Sequence, residues 1–404
     1  MRRPALFLAT LLLPQAAYAS PQDLFGYGPR AAAMGATGAT FLDDYAAVHA
    51  NPAALSRARG RRLTLGYVGA AFRLRYDGAP VSAENGSAMI LGVTAELPFG
   101  GALRHRLGVG VGFVLPTDVV VRARVRRPET PQFLLLPDRV QSIAVQLGLG
   151  ADLGHGLRLG VGATALAGLR GAVVLRADES GQAAAGFDER VVATWAPIAG
   201  ISWERGPWRV ALAYRGELAS RLDISVDARG LGVPVAPLNL SGVAQYDPHQ
   251  LQLEGAWARG PWTVALALTG KRWSDFQRVR EATVEGASPR PPLTELHDTV
   301  VVRAGVERRW DLTDRTGVTA RAGAFFEPSP APPPTASRGY LDNDRLAITA
   351  GLAMHAVVGS TRFSADLHGQ LHALLPREGE GSNGRAVTYG GTVGVAGMTA
   401  SVDF

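Results

Sequence analysis

The sequence predicts an all-β chain: a transmembrane antiparallel β-barrel of about fourteen strands, with a small, partly helical N-terminal hatch lodged in the lumen. Three observations carry this. From residue 61 onward apolar residues recur at period two, as in strands with two unlike faces. The connections alternate along the chain between tight turns and long polar or Pro-rich loops. Hydrophobic residues make up 47% of the chain and charged ones only 19%, yet no later run approaches the ~18 uninterrupted apolar residues of a membrane-spanning helix.

Residues 1–19 read as a signal peptide. Arg2 and Arg3 form a basic start, "ALFLATLLLP" is too short to cross a bilayer, and Ala17 and Ala19 sit at the −3 and −1 positions of a cleavage site. The mature chain is expected to begin near Ser20. There is no cysteine, so a disulfide framework, a thiolate metal site and a lipid-modified N-terminal Cys are excluded. The net charge is +6, but the arginines are scattered singly along strands and Lys271 is the only lysine. Without a basic run interleaved with aromatics, nucleic-acid binding is a poor reading.

Residues 20–60 differ from everything after them. "GYGPRAAAMGATGAT" and "DDYAAVHANPAALSR" are compact, small-residue-rich and polar-flecked. Asn51 is placed as an N-cap: Pro52 holds it out of the helical region and itself suits a first helical turn, which Ala53, Ala54 and Leu55 continue. The simplest role for such a segment ahead of a wide barrel is a plug in its bore.

Residues 61–404 supply the wall, in segments 61–74, 87–99, 105–116, 140–151, 157–176, 190–204, 208–228, 240–258, 261–275, 298–310, 316–327, 345–358, 363–375 and 386–404. In 363–375, Phe363, Ala365, Leu367, Leu371 and Leu375 share one face; Ser364, Asp366, His368, Gln370 and His372 share the other. In 208–228, Trp208, Val210, Leu212 and Tyr214 oppose Arg209, Arg215, Glu217 and Arg221. Even-numbered strands are followed by turns such as "ERGPW", "ARGPW" and "GST", odd-numbered ones by long loops. All the long loops therefore fall on one rim, as in outer-membrane barrels and unlike a soluble sandwich. Closure is required, because an open strand edge in lipid strands backbone groups without partners. The seven tryptophans lie near strand ends, where aromatic girdles form, and Phe404 closes the chain on the outward face.

"GPRAAAMGATGATFLDDYAAVHANPAAL" resembles the N-terminal hatch of FadL-type outer-membrane transporters of long-chain fatty acids and aromatic hydrocarbons, with Asn51, Pro52 and Ala53 matching that family's Asn-Pro-Ala motif. "YRGEL" (214–218), "WSDF" (273–276), "FFEPSPAP" (325–332) and "LDNDRLAITAGL" (341–352) extend the likeness over most of the mature chain. The resemblance implies a fourteen-stranded barrel in the outer membrane of a Gram-negative bacterium. It also implies passive uptake: outer loops capture a hydrophobic molecule, the hatch rearranges, and the ligand leaves sideways into the membrane.

Phe133, Leu134, Leu135 and Leu136, in loop 117–139, are the candidate capture patch, since four apolar residues on an outer loop need an apolar partner. Packing against loop 178–189 is the plainer alternative. Arg215, Arg221, Arg303, Arg321, Arg345 and Arg362 are candidates to hold a ligand carboxylate, against a simpler role as partners of lumen acids such as Glu307, Glu327 and Asp366. His368 and His372 stand about 13 Å apart along a strand, too far to share an ion unaided. "GVGATA" (160–165) lies in a strand with no helix after it, and no G-x-S-x-G or H-E-x-x-H occurs. The chain reads as non-enzymatic, without metal or cofactor, monomeric, its partners a hydrophobic ligand and outer-membrane lipid. Two rivals are a barrel of the same fold serving secretion or carrying a surface protein, and a general diffusion porin.

Overall fold

The computed structural model describes residues 21–81, 83–117, 131–133, 135–136, 143–177, 183–230, 238–276, 295–336 and 339–404. The signal peptide expected over 1–19 and Leu134 of the capture patch lie outside them.

Fourteen wall strands close on themselves. They are β1 (Arg61–Tyr76), β2 (Gly86–Glu96), β3 (Leu107–Pro116), β4 (Ala144–Gly154), β5 (Leu157–Ala177) and β6 (Ala183–Arg205). Then come β7 in two pieces (β7a, Trp208–Arg215; β7b, Leu218–Gly230) and β8 in two pieces (β8a, Leu238–Asp247; β8b, His249–Arg259). The circuit ends with β9 (Trp262–Arg272), β10 (Thr299–Thr313), β11 (Thr316–Glu327), β12 (Arg345–Val358), β13 (Thr361–Glu380) and β14 (Ala386–Asp403). β14 pairs antiparallel with β1, from Arg62–Asp403 to Tyr76–Tyr389, so the sheet has no seam there.

The alternation sorts residues as the period-two pattern expects. Leu65, Val161, Leu212, Leu266, Ile348 and Leu367 are exposed on the outer face, an apolar belt that only lipid can cover. Trp203, Trp208, Trp262 and Trp310 are exposed near the short-turn rim, with the Arg308 guanidinium 4.9 Å and 4.8 Å from the Trp262 and Trp310 rings. Trp273 is the exception: it is buried with Tyr246 and Phe276 on the lumen side. The loops are shorter than the sequence implies, because β6 and β13 continue as strand well beyond the segments that periodicity marked. These extensions carry the wall past the ~9–11 residues a bilayer needs.

One departure from simple antiparallel order is written in prolines and a glycine. β7a pairs with β6 only from Ile198–Arg215 to Arg205–Trp208. The next β6 residue is Pro197, which has no N–H to give its neighbour. Only the reverse contact forms, from the Gly216 N–H to the Pro197 carbonyl at 2.8 Å. A Cβ on Gly216 would lie 2.7 Å from Pro197 Cδ, so glycine is required at this close approach. Beyond it β7b leaves β6 and pairs parallel with β5, from Leu222–Leu169 to Gly230–Arg176. β8 breaks at the same level, at Pro248.

Candidate functional site

Residues 21–60 sit inside this wall. They form α1 (Pro21–Phe25), α2 (Pro29–Ala33), α3 (Ala47–Ala50) and a 3-10 turn, Pro52–Arg57. Leu24, Ala33, Met34, Val48, Ala54 and Leu55 are fully buried, a degree of burial that forty residues cannot provide for themselves.

Asn51 adopts extended backbone and caps the 3-10 turn, its Oδ1 accepting the Ala53 N–H at 3.0 Å. Its Nδ2 donates to the carbonyls of Ala39 (3.1 Å) and Ile201 (3.3 Å), tying the turn to the rest of the hatch and to β6. Pro52 and Ala53 then lie flat on glycines. A Cβ on Gly160 would meet the Ala53 nitrogen at 2.1 Å, one on Gly200 would meet Asn51 Oδ1 at 1.9 Å, and one on Gly108 would meet the Leu55 carbonyl at 2.0 Å. The wall of β3–β6 is bare backbone where this half of the hatch rests.

The other half is held by polar bonds from β8–β13. Glu254, wholly buried on β8b, accepts the Gly38 N–H (2.8 Å), the Thr40 N–H (2.8 Å) and the Thr40 hydroxyl (2.6 Å). Arg30 donates two parallel bonds to Glu307 of β10, at 2.6 and 2.9 Å. Lys271 of β9 bridges Asp23 of α1 (2.5 Å) and Glu327 of β11 (2.6 Å). Gln370 of β13 donates to the carbonyls of Phe25 and Ala32. His49 lies between the halves: Arg215 donates to its carbonyl at 3.2 Å, and burial, helped by the Arg215 charge, pushes its imidazole down to about 3. It is therefore neutral at neutral pH.

The candidate arginines fall into two groups. Arg321 is paired with Glu307 (2.7 Å) and Asp366 (2.5 Å), and Arg345 with Glu327; both are structural ion pairs. Arg215 meets amides rather than acids, at Gln250 (2.7 Å) and Gln252 (3.4 Å). Arg303 is 3% exposed, stacked 5.1 Å from the Phe325 ring, with Nη1 unbonded among the described residues. Arg362 lines a polar cavity at the short-turn end, and the side chain of Arg221 lies outside the described set. His372 packs between the Phe25 and Phe325 rings and is fully buried, so it is a hatch contact, while His368 on the same strand is 9% exposed.

The capture patch is folded inward. Gln132–Phe133 pairs parallel with Tyr340–Leu341, Phe133 meets the Tyr389 ring edge-on at 6.4 Å, and Leu135 and Leu136 are buried. Its apolar partner is thus the 340–341 segment and the upper lumen. Beneath it Phe72, Leu74, Ile90, Val114, Val393 and Tyr389 form one apolar cluster that runs down onto the hatch. The short-turn end is the opposite: a cavity of about 270 Å³ roofed by Arg30, Asp43 and Asp44 and walled by Arg62, Arg362 and Asp366.

The hatch anchors Asp23, Arg30, Glu254 and Lys271 were not singled out from sequence. The signal was there for two of them: Glu254 and Lys271 are the charges at inward-facing positions of β8b and β9, whose other charges, Arg259 and Arg272, stand exposed at the strand ends.

No protein-family model matches the chain, and no curated protein sequence matches it. Solved structures do. A FadL homologue of Pseudomonas aeruginosa superposes with a TM-score of 0.64 at 15% identity, over 97% of this chain and 99% of that one. The Pseudomonas putida toluene transporter TodX gives 0.55 at 16%, over 95% and 99%. The monoaromatic hydrocarbon channel CymD gives 0.54 at 16%, over 95% and 98%. The shared feature is the fold, over nearly the whole length of both chains.

Proposed function

We propose that the chain is a FadL-type transporter, monomeric and without catalysis or cofactor, which takes up hydrophobic compounds, long-chain fatty acids or similar, across the outer membrane. Residues 132–136 act as the capture lid, the Asn51-Pro52-Ala53 turn as the hinge of the hatch, and the ligand leaves through the wall. The observation that carries the reading is the polarity of the bore. Its upper half is apolar, its short-turn mouth is charged, and the hatch divides them. A molecule gaining about 0.8 kcal/mol per buried CH₂ has no favourable path through a charged mouth.

A sideways path is supported beside the apolar cluster. The β1–β2 ladder stops at Ala70–Gly86, and the Phe72 N–H turns to the Asn85 side chain at 3.2 Å. Outside lies a groove of about 1160 Å³ floored by Gly69, Ala71, Gly369, Gly394 and Ala396. A Cβ on Gly394 would meet nothing within 4 Å. Gly394→Trp is therefore expected to fill the groove and cut uptake in a normally assembled barrel, as Leu135→Asp is for the lid. Unchanged accumulation of labelled fatty acid in both variants would remove the mechanism. Comparing a fatty acid with its methyl ester decides whether Arg303 or Arg215 holds a carboxylate. A porin is disfavoured by the plug, and liposomes that leak small sugars would restore it.

A further inference from the structure

Two neighbouring strands break and a third ends at one height of the wall, and a metal-type ligand lies at each point. β7 breaks at Gly216–Glu217 and β8 breaks at Pro248, just before His249. β9 ends at Arg272 and curls into a 3-10 turn, Trp273–Asp275. Backbone register brings the three together: Gln250 pairs with Arg215 on one side, and His249 with Arg272 on the other. Glu217, His249 and Asp275 each place one donor atom within 4.8 Å of the other two, and all three are half-buried.

We propose that this cluster is a binding site for a first-row divalent ion, with zinc the reference ion. One imidazole nitrogen and two carboxylates suit such an ion better than magnesium or calcium, which take oxygen donors alone. The present spacing is wider than the roughly 3.3 Å edge of a tetrahedral zinc site. Rotation of the two carboxylate side chains closes the difference. Each donor is already oriented by a second group, the arrangement that holds ligands ready in metal sites. The Tyr246 hydroxyl donates to Glu217 at 3.1 Å, and Arg272 sits 3.2 Å from Asp275. Tyr214 stacks on His249 and places its hydroxyl 2.8 Å from Nδ1. Ligation through Nε2 makes Nδ1 a donor, and the Tyr214 oxygen is placed to accept it. Here Nδ1 accepts the Glu217 N–H at 3.2 Å, so ligation through Nε2 requires the other tautomer and the loss of that bond.

His249 shares the outer face with Tyr214 and Leu251, and behind Glu217 and Asp275 lie the buried rings of Tyr246 and Trp273. The site holds together the point where β7b departs to pair with β5. An ion there would join the breaks of β7 and β8 to the end of β9. The proposal does not rest on the transport reading.

The test uses tag-free, chelator-stripped full-length protein in detergent, titrated with Zn²⁺ in competition with a chromogenic chelator, with melting followed in parallel. The expected result is one equivalent of tight binding and a rise in Tm. His249→Gln, Glu217→Gln and Asp275→Asn should each weaken binding about tenfold or more and abolish the rise. His105→Gln, which removes the exposed pair with Glu96, should change neither. Heat-modified gel mobility confirms that each variant is a folded barrel. The proposal is overturned by wild-type protein that takes up no stoichiometric Zn²⁺, or by cluster variants that titrate like wild type.

Discussion

The two halves of the hatch are held by different physics. Residues 46–58 rest mainly on glycines of β3–β6, with a few polar ties such as Asn51 to the Ile201 carbonyl and Arg57 to Glu204. Residues 21–45 are tied to β8–β13 by Glu254, Glu307, Lys271 and Gln370, where donors and acceptors decide. The first seat tolerates no added atom but carries little charge. The second is close as well, Met34 and Gly35 lying on Gly305 and Gly323, but there each broken polar bond leaves a buried group unpaired, at about 1–3 kcal/mol. The proposed gating would have the plug tilt about its glycine seat while its polar ties exchange.

The comparison can be broken from either side, with ion conductance of single barrels in planar bilayers as the readout. Gly160→Val should act most strongly. Its Cβ falls 2.1 Å from the Ala53 nitrogen, so the hatch cannot seat, at a cost of roughly 3 kcal/mol, and the channel should stay open. Glu254→Leu comes next. Three hatch donors lose their acceptor, at about 1 kcal/mol each, and long openings should appear. Arg30→Met should be milder, at about 1–2 kcal/mol, because Glu307 keeps its bond to Arg321. Silent Gly160→Val channels, or Arg30→Met opening more than Glu254→Leu, would invert the ranking.

Acidity gives the smallest effect. The seated His49 is held down at about 3, whereas a released one titrates near 6.5. The released state then binds more protons at every pH below 6.5, so seating weakens as pH falls through that value and is unaffected above it. Open time should rise about tenfold from pH 7 to 5.5, and His49→Gln should remove that dependence. An equal rise in the variant would assign the pH response to other groups.

Much of the fold was legible because a barrel wall imposes one simple rule on every strand. Leu212 and Arg215, or Leu367 and Asp366, declare their faces by parity alone. The Asn51 cap was legible because Pro52 restricts its neighbour locally. What parity does not encode is which strand lies alongside which beyond the hairpins. The parallel run of β7b on β5 depends on Pro197 and Gly216 meeting across two strands. The fate of Phe133, Leu135 and Leu136 depends on residues 340–341, some two hundred positions away in sequence. The arginines were the hardest for the same reason: whether Arg321 is free or paired turns on Glu307 and Asp366, from two other strands. Trp273 shows that nearness to a strand end does not fix the side on which a ring lies.

The most direct measurement pairs two fluxes through the same protein. In cells lacking their own long-chain uptake protein, wild-type chain should restore accumulation of labelled fatty acid or toluene. The purified protein in liposomes should pass neither small sugars nor steady ionic current. Sugar permeation by the wild type, or hydrophobic uptake no faster than in cells without the chain, would contradict a plugged barrel that delivers its ligand sideways.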